Sequence, residues 1–368
     1  MKIRNLLLTL TTLALFAPAA YAATEMNFTT SMTSTHPVIA NGMLPYWNGL
    51  AEETKAFKVT YFEPGTLVPV SEQYNALLKG IVSNTMFSLS KYKNSFPISS
   101  LIDLPNPYSS AESAALAFTR LFHEFPEIQK EFTKVYPSAL VTSVPSDLLS
   151  IKPIKNLADM QGKRVGVLNG GAADTVKALG ATPILLPMSD MYTSLQRGML
   201  DAVLMPIPAF KSTKVTEVAK YLLDGNLTVN SAFVLLSQKF VKSLDVKTQE
   251  VFSHFSNTLE FAAFVGAWVD SSAKKDLQFV IANDGVEVTP FPEDERAEWN
   301  KRLAPLFGEW ENAVKKAGAD PNAIRDSFYK WLAFYADENN VKEVEKSAVP
   351  FIREYIPSAA FFADGFAE

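Results

Sequence analysis

The sequence predicts an α/β protein built as two lobes. Strands alternate with helices from residue 26 to about residue 90, the same alternation begins again near residue 140, and a long helical stretch follows both series. Alternating strands and helices are typical of a sheet whose faces are covered by helices. With 368 residues, the chain is long enough for two domains that each have a core.

The first series follows an N-terminal leader. Residues 26–31 (MNFTTS) are predicted to form a strand that ends in small polar residues, and residues 38–55 have helical spacing. A strand at 57–62 follows, Pro64 and Gly65 turn the chain, and a second helix starts at Ser71. Gly80 is expected to cap that helix before a third strand at 85–89. This order predicts a parallel sheet.

The second series has strands at 140–144, 164–168, 184–187 and 202–205, with helices at 156–160, 172–179 and 192–197 between them. One more strand is predicted at 232–237. Residues 248–279 show apolar helical periodicity without proline, and we expect a helix of this length to bridge the two lobes. Beyond Glu293 the chain is helical and charged, with core positions spaced by three and four residues at Trp299, Leu303, Leu306, Trp310 and Val314.

The first 22 residues have the three parts of a secretory signal. Lys2 and Arg4 precede an apolar run that extends from Leu6 to Ala19, and residues 20–22 (AYA) form a small-x-small cleavage site. We expect cleavage after Ala22 and an exported, soluble mature chain; the alternative is an uncleaved N-terminal anchor. The apolar run is shorter than the ~18 residues typical of a membrane-spanning helix.

Composition excludes several classes of function. The chain has no cysteine, so neither a disulfide framework nor a thiolate metal site is possible. Without Lys2 and Arg4, 32 basic residues remain against 39 acidic ones, which gives a formal charge of −7. Nucleic acid is therefore not an expected partner, because phosphate binding needs a basic surface.

Signals for an enzyme are weak. The three histidines, His36, His123 and His254, have no carboxylate at a metal-ligand spacing, and the chain lacks the common nucleophile, zinc and phosphate-loop motifs. No catalytic residue, metal or cofactor is therefore predicted. The turn at 169–171 (NGG) before a helix is compatible both with anion binding and with a plain connection. Asp147 follows a predicted strand end, where it serves either a turn or a ligand.

The middle of the chain resembles the solute receptors of tripartite ATP-independent periplasmic (TRAP) transporters, the family often described as C4-dicarboxylate-binding. The resemblance is carried by residues 152–163 (KPIKNLADMQGK), 177–183 (KALGATP) and 189–202 (SDMYTSLQRGMLDA), and extends over about residues 26–310. It implies a two-lobed type II periplasmic binding protein with a long hinge helix. Such a receptor closes like a Venus flytrap on a small organic solute and delivers it to a membrane permease, without catalysis.

Two departures from this family concern the ligand. Typical members carry an arginine on the strand after the Lys-Gly turn, where its guanidinium binds a substrate carboxylate through two hydrogen bonds. Gly166 stands at that position here, and we expect its bare backbone to face the cleft. Arg164 lies two residues earlier, on the same strand face but nearer the strand's start and so away from the cleft. Where the family tends to have Glu-Asn-Pro, this chain has Leu204, Met205 and Pro206.

The resemblance assigns further ligand contacts position by position. Two are aromatic, two are methionines, and the others are hydroxyl, amide, carboxyl or glycine positions: Ser31, Phe87, Ser88, Ser146, Asp147, Gly166, Asn169, Met188, Met205 and Trp268. Trp268, on the hinge helix, fits a core role as well as a cleft role. The set contains no arginine.

A pocket of this composition disfavours a dicarboxylate, because burying a carboxylate without a cationic partner costs several kcal/mol. We therefore expect a neutral or apolar solute lined by Phe87, Met188 and Met205, or an amine paired with Asp147. Two alternatives stay open. One is a carboxylate held by Arg164 or by an unidentified lysine, and the other is a secreted hydrolase that uses Asp147 with a second carboxylate.

The resemblance also suggests domain boundaries. The signal covers residues 1–22, the first lobe 23–147 and about 231–267, and the second lobe 148–230 and about 268–319. Residues 320–368 form a helical extension beyond the family pattern. Its aromatic-rich end, residues 355–366, packs on the lobes of a monomer or mediates a homodimer.

Overall fold

The computed structural model describes residues 23–355. The expected signal at 1–22 and nearly all of the aromatic-rich end lie outside the described residues. Eleven strands are assigned within this part of the chain: β1 (Thr24–Thr30), β2 (Phe57–Phe62), β3 (Asn84–Phe87), β4 (Val135–Thr142), β5 (Ser146–Ser150), β6 (Arg164–Val167), β7 (Thr182–Leu185), β8 (Ala202–Pro206), β9 (Tyr221–Thr228), β10 (Ser231–Ser237) and β11 (Glu287–Pro290).

The helices connect and cover these strands. A π-helical segment, Val38–Met43, leads into the first of them. The α-helices are α1 (Leu44–Thr54), α2 (Gln73–Lys79), α3 (Ala111–Glu124), α4 (Pro126–Glu131), α5 (Leu157–Met160), α6 (Gly170–Ala178), α7 (Met191–Gln196), α8 (Ile207–Thr213), α9 (Gln238–Ser243), α10 (Val246–Phe255), α11 (Leu259–Asp284), α12 (Arg296–Leu303), α13 (Leu306–Lys316), α14 (Pro321–Tyr335) and α15 (Glu338–Tyr355).

The strands form two sheets, one in each lobe. The first has the order β2-β1-β3-β10-β4, and the second has the order β11-β9-β5-β8-β6-β7. The chain passes from the first sheet to the second between β4 and β5, and returns between β9 and β10. These two short connections place residues 143–145 and 229–230 at the boundary between the lobes.

Both sheets are mixed, so the expected purely parallel sheets are wrong. β10 pairs antiparallel with β3 and β4, and β5 pairs antiparallel with β8 and β9. Each of these strands adjoins a crossing between the lobes. A strand that enters a sheet directly from the other lobe can run against its neighbours, whereas a parallel neighbour needs a crossover connection.

The long helical stretch is two helices rather than one. α10 ends at Phe255, and α11 begins after Thr258, whose side-chain hydroxyl accepts from the Phe261 N–H at 3.3 Å. Asn257 between them has a φ of 51°, in the left-handed region. A left-handed residue followed by a threonine N-cap ends one helix and starts another. The 26 residues of α11 still contact both lobes.

Apolar side chains bury both faces of each sheet. Trp299 and Leu303 of α12 lie in the core of the second lobe, and Trp310 and Val314 of α13 in that of the first lobe, as their spacing predicted. α14 and α15 also pack on the first lobe, where Phe328, Leu332 and Ile352 are buried. Within residues 23–355, no helix combines the length and the apolar character needed to cross a membrane.

Candidate functional site

The two lobes meet at a polar region between the ends of several elements. The Asn169 amide on the second lobe donates from Nδ2 to Oδ1 of Asn230, which lies at the crossing between the lobes. Asn230 in turn donates from Nδ2 to the Ser146 hydroxyl at 3.2 Å. A β-carbon placed on Gly171, in the first turn of α6, would lie 3.4 Å from the Asp103 carbonyl oxygen of the first lobe. The lobes are therefore in contact here.

Asp103 organises the first-lobe side of this region. Its Oδ1 accepts from the Ser231 N–H at 3.0 Å, and its Oδ2 accepts from the Ser88 hydroxyl at 2.6 Å. The carboxylate thus joins the end of β3 to the start of β10. We call Ser88, Asp103, Ser146, Asn169 and Asn230 the interlobe cluster. It contains three of the residues that the sequence predicted.

Both the oxygen and the nitrogen of the Asn169 side-chain amide make hydrogen bonds within the protein. Its Oδ1 accepts from the Ala172 N–H at 2.9 Å and so caps the N-terminus of α6. Its Nδ2 makes the bond to Asn230. The turn at 169–171 is therefore both a helix cap and a contact between lobes.

Asp147 is held by β9. Its Oδ1 accepts from the N–H groups of Gly225 and Asn226, each at 3.0 Å. Burial raises the pKa of this carboxyl to about 7, the nearby charge of Asp224 raises it further, and the two backbone hydrogen bonds oppose the shift. Asp147 thus lies within β5 and not in the turn after a strand that the sequence analysis allowed. Pairing of Asp147 with an amine stays a prediction.

The expectation that Gly166 faces an open cleft is wrong. A β-carbon at this position would lie 2.7 Å from Leu200 Cδ1 and from Met191 Sδ, and 3.2 Å from Val203 Cγ1. This face of β6 packs against the second-lobe core, to which α7, the loop before β8, and β8 contribute these three side chains. Apolar side chains fill the space beside the glycine, and an arginine would not fit there unless they moved.

Arg164 points away from the interlobe cluster, as expected. Its guanidinium donates to both carboxylate oxygens of Asp201, at 2.9 and 3.0 Å, on the exposed surface at the start of β6. The Arg164 hydrogen bond lowers the pKa of Asp201, which keeps the pair charged. Neither the glycine position nor Arg164 therefore offers a guanidinium to the cleft.

The three apolar residues expected to line one pocket are divided between the two lobes. Met205 is fully buried in the second-lobe core, and Met188 packs at the edge of the same cluster. Phe87 belongs to a first-lobe aromatic group, with ring centroids 5.7 Å from Tyr74 and 4.6 Å from Tyr92. A common lining of the cleft by these three side chains therefore stays a prediction.

Trp268 and Ser31 lie outside the interlobe cluster. The indole of Trp268 packs on Gly42, where a β-carbon would lie 2.8 Å from Cη2, and both residues border an apolar cavity of about 20 Å³. The structure thus places Trp268 against the first lobe, as its core role implies. Ser31 is exposed at the end of β1.

Sequence reasoning missed Asp103 and Asn230. Asn230 precedes a predicted strand, which is a weak signal for a crossing point, while Asp103 belongs to no motif. Within residues 23–355, no three acidic or histidine side chains come together as a metal site.

The fold and the position of the cluster define a class, the two-lobed periplasmic binding proteins of type II. The chain belongs to the family described as bacterial extracellular solute-binding protein, family 7, which matches residues 29–313. Its members are periplasmic solute receptors of the TRAP type rather than enzymes.

Individual relatives agree with this membership. The chain is 24% identical over 273 residues to the uncharacterized protein YiiZ of Salmonella typhimurium, covering 71% of this chain and 79% of that one. It is 23% identical over 266 residues to the C4-dicarboxylate-binding periplasmic protein DctP of Shewanella loihica, covering 71% and 77%.

Solved structures show the same fold. A TRAP solute-binding protein from Desulfovibrio salexigens superposes with a TM-score of 0.77 at 21% identity, covering 85% of this chain and 97% of its own. One from Bordetella bronchiseptica with bound mandelate gives a TM-score of 0.73 at 22% identity, covering 84% and 98%. One from Rhodoferax ferrireducens with benzoate gives 0.73 at 18% identity, covering 86% and 99%.

Proposed function

We propose that this receptor captures a small, uncharged organic solute with an apolar body between its lobes and delivers it to a TRAP membrane permease. The observation that carries the proposal is the filled space beside Gly166. Leu200, Met191 and Val203 occupy the direction in which the family's arginine would extend. A carboxylate ligand would therefore lose its guanidinium partner, and the desolvation of its charge would be uncompensated.

The interlobe cluster supports closure as the capture step. Asn169 and Asn230 join a helix of one lobe to the crossing point, and Gly171 approaches the other lobe's Asp103 backbone. Solute that stabilises these contacts shifts the receptor towards the closed form. The hydroxyl, amide and carboxylate groups in the cluster suit a solute with hydroxyl, carbonyl or amide groups.

A carboxylate ligand is the second candidate, because the solved relatives include complexes with mandelate and benzoate. The cation would then come from a lysine. Lys91 lies just after β3, in a short helical turn that approaches α6 of the other lobe. Its Nζ is 5.8 Å from the centre of the Tyr92 ring and 3.3 Å from the Val70 carbonyl oxygen. The ammonium can pair with a carboxylate, and the Tyr92 ring can pack against the ring of an aromatic acid.

A thermal-shift panel separates the candidates. Benzyl alcohol and benzamide probe the neutral class, phenethylamine the amines, benzoate the aromatic acids and succinate the dicarboxylates. A ligand that binds only the native state raises the melting temperature, and we expect a rise with the neutral probes alone. A rise with benzoate that disappears in Lys91→Met would instead establish the second candidate. Turnover of any probe would favour an enzyme.

A further inference from the structure

Three segments of the chain meet at the end of the first sheet that lies away from the interlobe cluster. β3 runs from Asn84 towards Ser88 of the cluster. β10 starts beside the cluster at Ser231 and runs the opposite way, and Val135 at the start of β4 pairs with Ser237 at the end of β10. The segments before β3, before β4 and after β10 are therefore neighbours. The seven residues of β10 separate them from the cluster by about 20 Å.

Four lysines and two aliphatic residues lie on these segments, and all six side chains are exposed. Leu78 is 40% exposed and Ile81 48%, which is unusual for large apolar side chains. We call this set the lysine patch: Leu78, Lys79, Ile81, Lys134, Lys239 and Lys242. Residues 78–83, 132–135 and 237–244 include no acidic residue. The patch is therefore positive on a chain whose formal charge is −5.

Contacts between the segments hold the patch together. The side chain of Gln238, in α9, donates from Nε2 to the Val135 carbonyl oxygen at 3.0 Å, which joins α9 to the start of β4. A β-carbon on Gly80 would lie 2.7 Å from Lys239 Cδ. The aliphatic part of Lys239 thus packs on the turn after α2, and its ammonium group extends beyond that turn.

An open groove of about 450 Å³ lies within the patch. It is lined by Leu78, Thr133, Lys134, Gln238 and Lys242. Two lysine side chains therefore border a concave surface beside an exposed leucine. Such a surface suits an anionic headgroup that is attached to an apolar body.

Carboxylates of the protein do not neutralise these lysines. Within residues 23–355, none of the four takes part in an ion pair. The acidic residue nearest in sequence to Lys134 is Glu131, which accepts from two backbone N–H groups at 2.6 and 3.0 Å. The one nearest to Lys242 is Asp245, which caps α10. The positive charge of the patch is therefore available to a partner.

We propose that the lysine patch binds the surface of a bilayer that contains anionic phospholipids. Receptors of this family deliver solutes to membrane permeases, so they work beside a membrane. The ammonium groups would contact lipid phosphates, and Leu78 and Ile81 would reach the apolar boundary below the headgroups. Acidic residues elsewhere on the chain oppose this attraction only weakly, because salt screens charges beyond about 8–10 Å.

This inference goes beyond solute capture. Because the patch and the interlobe cluster lie at opposite ends of β10, a receptor bound through the patch keeps its cleft free. Membrane binding would hold the receptor close to the bilayer, whether or not it carries a solute.

Vesicle flotation of the solute-free chain from Ala23 to Glu368 tests the proposal. One set of vesicles consists of phosphatidylcholine with about one third phosphatidylglycerol, and the other of phosphatidylcholine alone. We expect binding to the anionic vesicles only. We also expect its loss at about 1 M salt, where the Debye length falls to about 3 Å.

A pair of double variants assigns the binding to the patch. Lys134→Gln with Lys242→Gln removes the two lysines of the groove. Lys152→Gln with Lys155→Gln is the matched control, because both lysines are exposed on the second lobe and the change in charge is the same. We expect the first pair to weaken binding about 25-fold, about fivefold for each lysine, and the control pair to leave it unchanged. Neither pair should change the melting temperature, since all four side chains are exposed.

Equal binding to both kinds of vesicle, or an equal loss in both double variants, would overturn the assignment to the patch. A wild-type chain that floats with neither vesicle would refute the lipid surface and indicate an acidic protein as the partner. Since no solute is used, this result and that of the thermal-shift panel can succeed or fail separately.

Discussion

Glu112, in the first turn of α3, offers a quantitative test of the packing around this helix. Its side chain is only 7% exposed, and its Oε1 has no hydrogen-bond partner among the described residues. Burial raises its pKa from 4.5 to about 9, with smaller contributions from the charges of Glu345 and Asp270. Replacing it with glutamine keeps the shape and removes the ionisation.

The direction in which the free energy of unfolding changes with pH follows from proton binding by Glu112. Between pH 4.5 and about 9, folded Glu112 holds a proton that the unfolded chain has released, so the free energy of unfolding falls as pH rises through this window. Each pH unit contributes about 1.4 kcal/mol. At pH 7 the ionisation of the unfolded chain therefore favours unfolding by roughly 3 kcal/mol.

Glu112→Gln should remove this contribution. Urea titrations read by tryptophan fluorescence should show no gain in the free energy of unfolding at pH 4.5 and a gain approaching about 3 kcal/mol at pH 7. Glu53→Gln, on the exposed surface of α1, is the control and should change neither value. A gain that is the same at both pH values, or a loss at pH 7, would show that folded Glu112 is not held in its protonated form.

Three further substitutions test the site. Gly166→Ala should lower the free energy of unfolding by about 1–3 kcal/mol in urea titrations, because its methyl group would overlap Met191; an unchanged value would mean that this face is open. Asp147→Ala should cost roughly 1–3 kcal/mol by leaving the buried Gly225 N–H and the part-buried Asn226 N–H of β9 unpaired, and a loss below about 0.5 kcal/mol contradicts the anchoring role. Arg164→Ala should leave both stability and solute binding unchanged, since its ion pair is exposed, and weaker binding would return Arg164 to the site.

Local patterns predicted most elements, while the order of strands in the sheets depended on longer-range contacts. Gly80 caps α2 with a φ of 71°, as its position after the apolar run indicated. The antiparallel placement of β5 and β10 arises where the chain crosses between lobes, and nothing in either strand's own sequence records the neighbour that it meets. The break at Asn257 was visible only as three consecutive polar residues, 256–258 (SNT), in a periodic stretch.

The candidate site was predicted in part for similar reasons. Ser88, Ser146 and Asn169 follow strand ends, where α/β sheets present side chains, and the structure brings them to the interlobe cluster. The prediction that Gly166 faces the cleft was wrong because the residues that pack against it, Met191 and Leu200, belong to a different helix and loop. Whether such a residue faces the core or the cleft depends on packing between segments that are distant in sequence, and the alternation of one strand does not predict it.

We propose that the cleft between the lobes has no arginine to bind a ligand carboxylate, and that the solute is therefore uncharged. Mass spectrometry of the solute released by denaturing the freshly purified receptor, together with a crystal structure of the same sample, tests it most directly. We expect an uncharged organic molecule with its polar groups against Ser88, Asn169 or Asn230. A bound dicarboxylate held by two or more basic side chains would contradict it.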